Sequence, residues 1–343
     1  MTAKGTKPLF SVLTTSFNHE RYLVPMLESV AAQEFRDFEF IFVDDGSTDS
    51  TADIFARWQA GFATRSPNRV EYLALLNAGQ SAGIESGVAR CHGRYIALLD
   101  SDDRWLPAKL AEVARVTSDH PEVGMIVHPQ FVIDPEGRRT GDIRPKSAKL
   151  SHGDLRAQMR LTGRHVAGAT SGVTIRADLF RALMPMPTKE FKSAADQYLT
   201  FGATFMEPVY ALSTPLSEYR VHPDGQYIRR MMTADGVSRQ MDLQRTIAAH
   251  FGVEDVIDRN PFFARHRFAL AKLRESFTEQ CAAYGVLVRA LWVDGSFSAL
   301  QKSAFAIFWG IALLAPRSQF LRMWKWFQFK QTGRGRVPSA RPA

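Results

Sequence analysis

The chain has 343 residues, of which 45% are hydrophobic, 11% aromatic and 23% charged. These fractions are typical of folded globular proteins and exclude a disordered or collagen-like chain. The net charge is +8, and the segment from Arg317 to Arg341 holds seven Lys or Arg and no acid, so the remainder is nearly neutral and we expect no nucleic-acid partner.

The first hundred residues alternate short apolar runs with helical patterns. Strands are predicted at Phe10 to Thr15, Phe38 to Asp44, Val70 to Leu75 and Tyr95 to Leu99, and helices at Tyr22 to Gln33, Thr51 to Gln59 and Ser81 to Cys91. This alternation predicts βα units on a mostly parallel sheet. Because ligands of open α/β sheets bind beyond the carboxyl ends of the strands, we expect the functional site there.

From about Leu106 the pattern loosens into a mixture of helices and strands. Later elements are predicted as a helix at Ala108 to Thr117, a strand at Met125 to Ile133, a loop at Pro135 to Pro145, a strand at Thr170 to Ile175, a helix at Ala194 to Thr204 and a strand at Leu216 to Val221. After Pro223 the pattern is almost wholly helical. We place a domain boundary near Gly225.

Three carboxylates follow the predicted strand at Tyr95 to Leu99 within four residues, namely Asp100, Asp102 and Asp103. Like charges so close repel one another unless a cation neutralises them. A hard divalent ion such as Mg²⁺ or Mn²⁺, completed by substrate phosphates, is the usual solution. The alternative is a helix N-cap, which needs one aspartate only and applies best to Asp103.

A second acid pair, Asp44 and Asp45, ends the predicted strand that begins at Phe38. A carboxylate there can accept hydrogen bonds from a base or a ribose. The alternative is an Asp-Gly-Ser turn with Ser47 or Asp49 as the N-cap of the next helix.

These motifs together resemble the family 2 glycosyltransferases of the GT-A fold. The resemblance is carried by Phe10 to Asn18, Val43 to Asp49, Asn77 to Ala82 with Gly87, Ala89 and Gly93, and Leu99 to Asp103. Four motifs in this order are far more specific than one Asp-x-Asp. The resemblance covers the first 105 residues and extends in weaker form to about residue 225. It implies an α/β fold with a Rossmann-like mixed sheet, flanking helices and a C-terminal helical extension.

The resemblance also implies roles for individual residues. Thr15 and Phe17 would line the nucleotide, and Asp45 would contact the base with Asp44 beside it. Asn77 would belong to the nucleotide-sugar site. Asp100 would face the ribose and diphosphate, and Asp102 would ligate Mn²⁺ or Mg²⁺. One departure concerns Ile84 and Glu85, where many relatives carry Arg-Asn. The sugar contacts near Glu85 are therefore not carried over.

Two residues of the second half complete the predicted site. Asp196 lies in a segment resembling the one that holds the catalytic base of such enzymes, and an inverting displacement requires a base near the acceptor hydroxyl. Its alternative role is a helix N-cap. His222 follows Tyr219 to Val221 and resembles a family histidine near the metal or diphosphate, although a lone histidine is often structural.

The resemblance predicts a metal-dependent, hexosyltransferase-like enzyme that moves a sugar from a UDP- or GDP-sugar to a saccharide or lipid-linked saccharide, in cell-surface polysaccharide or glycolipid synthesis. Residues 1–225 would form the transferase domain, with a nucleotide-sugar half at 1–105 and an acceptor half at 106–225, and 226–343 would form the helical extension. The alternatives are a non-catalytic nucleotide-sugar-binding scaffold and a sugar nucleotidyltransferase. The latter usually has a glycine-rich loop after the first strand, and Thr14 to Arg21 contains no glycine.

The remaining predictions concern location. Cys91 and Cys281 match neither a disulfide framework nor a zinc site, and Met1 to Pro8 lacks the apolar core of a signal peptide, so we expect a cytoplasmic protein. Ala304 to Ala315 is too short to span a bilayer and suits a buried or interfacial helix. The following aromatic and basic residues are Trp324, Trp326, Phe327 and Phe329 with Arg322, Lys325 and Lys330. They predict either contact of this C-terminal tail with the inner face of the membrane or a C-terminal helix packed on the domain or on a second subunit.

Overall fold

The computed structural model describes residues 7–145, 149–187, 194–222, 232–274, 276–295 and 297–332. Its contacts divide the chain into two units, the first comprising Met1–Asp154 and Val166–Val221 and the second Leu155–His165 and His222–Ala343. The predicted boundary at Gly225 and the side chains of Phe329 and Lys330 lie outside the described residues.

The elements follow one another in this order: β1 (Phe10–Ser16), α1 (Glu20–Ala31), β2 (Phe38–Asp44), α2 (Thr51–Ala63), β3 (Val70–Ala74), α3 (Gln80–Val88), β4 (Tyr95–Leu98), β5 (Arg104–Trp105), α4 (Lys109–Asp119), β6 (Met125–Val127), β7 (Gln130–Ile133), β8 (Arg139–Arg144), α5 (Arg156–Thr162), a 3-10 helix (Thr170–Gly172), β9 (Val173–Arg176), α6 (Ala177–Ala182), α7 (Ala195–Met206), β10 (Val209–Ala211), β11 (Ser217–Arg220), α8 (Ala234–His250), a 3-10 helix (Glu254–Arg259), α9 (Pro261–Arg274), α10 (Phe277–Val293), α11 (Ala299–Leu314) and α12 (Arg317–Thr332).

The first unit is built on a seven-stranded sheet with the order β10-β6-β9-β4-β1-β2-β3. Strands β4, β1, β2 and β3 are parallel, while β9 runs antiparallel to both β4 and β6. The chain runs from β1 through β2 to β3 on one side and then returns to the other side of β1 for β4. The carboxyl ends of β1 and β4 therefore border a topological switch point, where ligands of such sheets bind. The predicted α/β class with a mixed sheet is confirmed.

Apolar runs explain why the central strands lie in the core. Every residue of β2 is buried, as expected of a parallel strand covered on both faces. Phe42 of β2 stacks on Phe55 of α2 with ring centroids 4.6 Å apart, and Trp58 packs edge-on against Phe40 at 5.7 Å. Burying one such side chain contributes about 1.5–3 kcal/mol.

Helix α3 packs unusually close to β1 because it presents glycines to the strand. A Cβ added at Gly83 would lie 3.0 Å from Thr15 Cγ2, and one at Gly87 would lie 2.4 Å from Leu13 Cδ1. These glycines allow the amino end of α3 to approach the site that β1 borders.

Three details of the predicted elements are corrected. The strand predicted at Met125 to Ile133 is divided at His128-Pro129 into β6 and β7, which belong to different sheets. The loop predicted at Pro135 to Pro145 contains β8, the edge strand of a second sheet with the order β5-β11-β7-β8. The segment predicted as a strand from Thr170 begins with a 3-10 turn, and only its second half pairs in the main sheet.

The second unit is helical in the part of the chain that the structure describes. Serine caps begin α10 and α11, where Ser276 pairs with Glu279 and Ser298 with Gln301 in capping boxes. Its core contains several large aromatic side chains, namely Phe263, Phe268, Trp309, Phe320 and Trp324. Arg164 and Asp294 form a buried ion pair with an N–O distance of 3.0 Å.

The aromatic residues of the C-terminal tail divide between the core and the surface. Trp324 and Phe327 are buried and pack within the second unit, which agrees with the packed-helix alternative and not with the lipid-facing one for these two rings. Trp326 is exposed. Among the described helices, none combines the length and hydropathy that crossing a membrane requires.

Candidate active site

Asp44 closes strand β2 and holds the loops beside it. Its Oδ1 accepts a hydrogen bond from the Ser47 backbone N–H at 2.8 Å, and its Oδ2 accepts one from the Tyr72 hydroxyl at 2.6 Å. Burial and this bond to Asp44 raise the pKa of Tyr72, so the phenol remains a donor. The almost fully buried Asp44 carboxylate therefore shapes the turn that presents Asp45.

Asp45 ties the loop after β2 to the loop before α3. Its Oδ1 accepts the Ala78 N–H and its Oδ2 the Gly79 N–H, each at 2.8 Å. Gly46 has a φ of +79°, and a Cβ there would lie 2.9 Å from the Asn77 backbone nitrogen, so glycine is required. Asn77 itself is exposed at the rim of the site.

The end of β1 supplies Thr15 and Phe17. Thr15 is half-buried, and Phe17 is 43% exposed, so its ring is available for stacking. The next residue, Asn18, has a φ of 54°, and its Oδ1 accepts the Thr48 N–H at 2.8 Å. The Ser47 hydroxyl accepts the Asn18 N–H at 2.9 Å. The loops after β1 and β2 are thus held against each other.

The three acids after β4 form one cluster. Asp100, Asp102 and Asp103 each offer a carboxylate oxygen within 4.8 Å of the others. The Ser171 hydroxyl accepts the Asp100 N–H at 3.0 Å and donates to Asp103 Oδ2 at 2.7 Å, and the Arg220 N–H donates to Asp103 Oδ1 at 2.8 Å. Asp103 is therefore buried with both oxygens occupied, whereas Asp100 and Asp102 are half-buried.

Arg220, the last residue of β11, connects this cluster to the second sheet. Its Nε donates to the Asp102 carbonyl at 2.7 Å, and its terminal nitrogen donates to the carbonyls of Asp134 and Pro135. The guanidinium lies 4.9 Å from the ring centroid of Tyr22. These contacts fix the backbone on which the acids stand.

The aspartates that the sequence offered as helix caps occupy other positions. The cap positions of α2, α4 and α7 are held by Ser50, Ala108 and Ala194. Asp103 precedes β5, and Asp196 lies in the first turn of α7. Asp49 lies one residue before the cap of α2, and the Oδ1 atom of Asp49 accepts the Thr51 N–H at 3.0 Å. The capping alternatives are therefore wrong, including the one for Ser47.

Asp100 interacts with acids from two parts of the chain. Burial raises its pKa to about 8, and the negative charges of Asp102 and Asp196 add to the rise, while hydrogen bonds from Thr170 and Gln80 oppose it. The Gln80 side-chain nitrogen donates to Asp100 Oδ1 at 3.1 Å. The structure thus brings Asp196, far away in sequence, within electrostatic reach of the cluster.

Asp196 is half-buried at the start of α7. Burial raises the pKa of its carboxyl, and the positive charge of Arg144 opposes this rise. Its Oδ1 accepts the N–H of Gln197 at 2.9 Å. A carboxyl with a raised pKa whose charge acts on a neighbouring acid cluster is suited to proton transfer.

His222 is half-buried and directly follows Val221. The group of potential metal ligands found among the described residues contains the three aspartates and not this histidine. Its role as a metal ligand stays a prediction.

Sequence reasoning missed three residues of the site, namely His19, Gln80 and Ser171. His19 Nδ1 lies 2.7 Å from the hydroxyl of Ser101, inside the acid motif. Gln80 and Ser171 contact Asp100 as described above. Gln80 lies inside the recognised segment Asn77 to Ala82 and His19 directly follows Asn18, so their positions could have drawn attention to them. Ser171 adjoins no such motif, and its contact with Asp100 joins residues 71 positions apart.

A comparison with protein families matches residues 11–183 to the model described as Glycosyl transferase family 2. The match covers half of the chain. This chain belongs to glycosyl transferase family 2.

Relatives in sequence include other members of the same class. An uncharacterized glycosyltransferase of Nostoc sp. is 29% identical over 231 residues, which is 67% of this chain and 69% of that protein. The putative teichuronic acid biosynthesis glycosyltransferase TuaG of Bacillus subtilis is 38% identical over 105 residues, 30% of this chain and 40% of TuaG. The matched part thus spans less than half of TuaG.

Solved structures show the same fold at low sequence identity. S. aureus TarS 1-349 in complex with UDP-GlcNAc has a TM-score of 0.56 and 17% identity, covering 92% of this chain and 89% of that one. The mannosyltransferase PcManGT from Pyrobaculum calidifontis, in complex with GDP-Man and Mn²⁺, has a TM-score of 0.57 and 15% identity, covering 95% and 86%. The family 2 chain thus has GT-A-like structural neighbours.

In this family 2 member, the carboxyl ends of β2 and β4 and the first turn of α7 carry two kinds of acid. Asp44, Asp45 and Asp103 are buried and hold loops, whereas Asp100, Asp102 and Asp196 are half-buried. The second group can bind a cation and move a proton.

Proposed function

We propose that this chain is an inverting, metal-dependent glycosyltransferase that moves a sugar from a nucleoside diphosphate to an acceptor hydroxyl. The observation that carries the proposal is the cluster of Asp100, Asp102 and Asp103, whose carboxylate oxygens lie within 4.8 Å of one another. The negative charge of Asp196 also acts on Asp100 and helps to raise its pKa, which supports a second acid near this cluster.

Asp196 is the proposed catalytic base. Its carboxylate takes the proton of the acceptor hydroxyl while that oxygen bonds to the anomeric carbon from the face opposite the leaving group. The bond from the anomeric carbon to the donor phosphate oxygen breaks in the same step, and the nucleoside diphosphate leaves with that electron pair. Burial raises the pKa of Asp196 and makes it a stronger base than an exposed aspartate.

Asp102 is the proposed metal ligand, with His222 as a second one. Three carboxylates within 4.8 Å fit a hard divalent cation, because Mn²⁺ and Mg²⁺ prefer oxygen ligands. Asp103 keeps its supporting role, since both its oxygens accept protein hydrogen bonds. The bound ion would neutralise charge on the departing diphosphate. The Mn²⁺ in the PcManGT complex supports this assignment.

The proposed donor is a UDP- or GDP-sugar. Asp100 would face the ribose and diphosphate. Asp45, whose two oxygens already accept the Ala78 and Gly79 N–H groups, would contact the base through a remaining lone pair, with Asp44 supporting Asp45. Phe17, Thr15 and Asn77 would line the nucleotide, and the exposed ring of Phe17 is suited to stacking on it. The donors named for TarS and PcManGT, UDP-GlcNAc and GDP-Man, support these two bases.

The proposed acceptor is a saccharide or a lipid-linked saccharide in cell-surface polysaccharide or glycolipid synthesis. The name of TuaG, which refers to teichuronic acid biosynthesis, supports this class. A lipid-linked acceptor would be met by a cytoplasmic enzyme working at the inner face of the membrane.

A thermal-shift panel of UDP-, GDP-, CDP- and dTDP-sugars, with and without Mn²⁺, tests the proposal. A ligand that binds only the folded state raises the melting temperature, so one donor class should raise it in the presence of metal. Asp102→Asn should lose the metal-dependent rise, whereas Asp53→Asn, on the exposed side of α2, should keep it.

Transfer assays with the donor so found separate the proposal from its rivals. Formation of a glycosylated acceptor with inverted anomeric configuration is the expected result. Donor binding without turnover over a broad set of saccharide acceptors would favour the scaffold, and release of pyrophosphate from a sugar phosphate and a nucleoside triphosphate would favour a nucleotidyltransferase.

A further inference from the structure

Helix α11 presents a row of apolar side chains to solvent. Leu300, Ile307, Ile311 and Leu314 are 81%, 65%, 57% and 76% exposed. Their spacings of seven, four and three residues place them on one face of the helix, and Ala304 completes the row. The opposite face packs inward through Trp309, Ala312 and Leu313. Single exposed apolar residues are ordinary in soluble proteins, but a continuous row marks a contact surface.

Exposed tryptophans flank the row. Trp292, at the end of α10, is 54% exposed, and Lys302 lies beside it with its Nζ 3.0 Å from the Trp292 carbonyl. Trp326 of α12 is 52% exposed and packs on Phe308 of α11 with ring centroids 5.8 Å apart. Tryptophan and lysine with an apolar body and a polar end are the side chains that favour a water–lipid boundary.

Charge decides which partner fits this face. After Asp294 the sequence contains no aspartate or glutamate, while it contains eight Lys or Arg. In the described part of this segment, Arg317, Arg322 and Lys325 are exposed. Two copies of this chain meeting at such a face would repel each other, whereas a surface of anionic lipid headgroups would attract it.

The length of α11 fits a helix that lies on a membrane. Its 16 residues span about 24 Å at ~1.5 Å per residue, less than the ~30 Å of a bilayer's hydrocarbon layer. One apolar face and one packed face also suit a helix lying in the plane of the interface.

We propose that the exposed face of α11, flanked by Trp292 and Trp326, docks the second unit on an anionic lipid surface. This docking rests on the proposed function, in which the enzyme meets a lipid-linked acceptor at the inner face of the membrane, but docking itself needs neither donor nor metal. Its failure is therefore distinguishable from failure of the transferase proposal.

Co-sedimentation of the full chain with vesicles tests the docking. Binding is expected to vesicles of equal phosphatidylglycerol and phosphatidylcholine, and at least about fivefold weaker binding to phosphatidylcholine alone, because each basic residue near an anionic surface contributes a factor of about five. Ile307→Gln combined with Ile311→Gln should weaken binding at least about tenfold. Val24→Gln, at a 52% exposed apolar position of α1, is the matched control and should bind normally.

A second variant keeps the test independent of folding defects in α11. Arg322→Gln combined with Lys325→Gln should weaken binding to the anionic vesicles about 25-fold, at about fivefold for each cation, and reduce its salt dependence. No binding of the unchanged chain to anionic vesicles at low salt would overturn the proposal. So would a lipid-free dimer that the double isoleucine variant converts to monomer, because the face would then be covered by a second copy.

Discussion

At the scale of single residues, the acids that follow β4 have different structural roles. Asp103 gives both oxygens to Ser171 and Arg220, while Asp100 and Asp102 remain half-buried. The sequence could predict the cluster, because three acids at a strand end need a counter-charge. The sequence could not predict which of these acids is buried and hydrogen-bonded, because this depends on Ser171. That serine lies 71 positions from Asp100 and resembles any other serine in a turn.

Replacing Ser171 with alanine tests the supporting role of this serine. Its hydroxyl satisfies the Asp100 N–H and one oxygen of the buried Asp103, and its carbonyl accepts the Trp105 indole N–H at 2.9 Å. Without this hydroxyl, the Asp100 N–H and the Asp103 oxygen lose their hydrogen-bond partner, which should reduce the free energy of unfolding by about 1–3 kcal/mol. Urea denaturation measures the change, and Ser303→Ala, at an exposed serine of α11, should not lower stability, because alanine favours a helix at least as well as serine. Equal effects of the two substitutions would contradict the role.

Glu39 provides a pH-dependent test at the opposite end of the sheet. Burial alone would raise its pKa, but hydrogen bonds from Ser11, His92 and Arg69 outweigh burial and lower the pKa below 4.5. Because the pKa is lower in the folded state, the ionised carboxylate stabilises the fold above the unfolded pKa, and this contribution is lost as the pH falls through the folded pKa.

Glu39→Gln should therefore destabilise the protein by about 1–3 kcal/mol at pH 7. The difference from the unchanged chain should shrink as the pH falls from about 5 towards 3. Chemical denaturation across this range measures it, with the exposed Glu34→Gln as control. A difference that stays constant down to pH 3 would show that ionisation of Glu39 is not the stabilising factor.

At the scale of elements, apolar periodicity was sufficient to predict the strands β1 to β4 of the main sheet. Strand β2 has the predicted bounds, and β1, β3 and β4 differ by one residue at an end. Periodicity failed between Met125 and Ile133, where one apolar run serves two sheets because Pro129 interrupts the strand. It also failed for β8, whose exposed, polar residues 139–144 resemble a loop because the strand lies at a sheet edge.

The glycines of α3 permit a test of the close contact between α3 and β1. Gly87→Ala should destabilise the fold by about 1–3 kcal/mol, because the new Cβ would meet Leu13 Cδ1 at 2.4 Å. Gly61→Ala, inside α2 with nothing within 4 Å, should instead stabilise by about 0.4–1 kcal/mol. Thermal unfolding should show a lower melting temperature for Gly87→Ala and a higher one for Gly61→Ala. A higher melting temperature for Gly87→Ala would rule out the tight contact.

At the scale of the whole molecule, the chain divides into an α/β unit and a helical unit. The sequence predicted a helical C-terminal region, and the elements described after Arg220 are helices. The sequence did not predict the membership of Leu155–His165 in the second unit, because it depends on contacts such as the buried ion pair between Arg164 and Asp294. Likewise, the order of Trp324, Trp326 and Phe327 along the chain does not reveal which rings point inward, since that depends on how α12 packs.

In the proposed mechanism Asp196 and the acid cluster act as one catalytic site, and the rate of sugar transfer by Asp196→Asn tests this proposal. With the donor found by thermal shift, the rate of transfer should fall by about 10²–10⁴-fold, while the donor-induced rise in melting temperature persists. Asp53→Asn should keep the normal rate. An Asp196→Asn protein that transfers sugar at the unchanged rate would show that Asp196 is not the catalytic base.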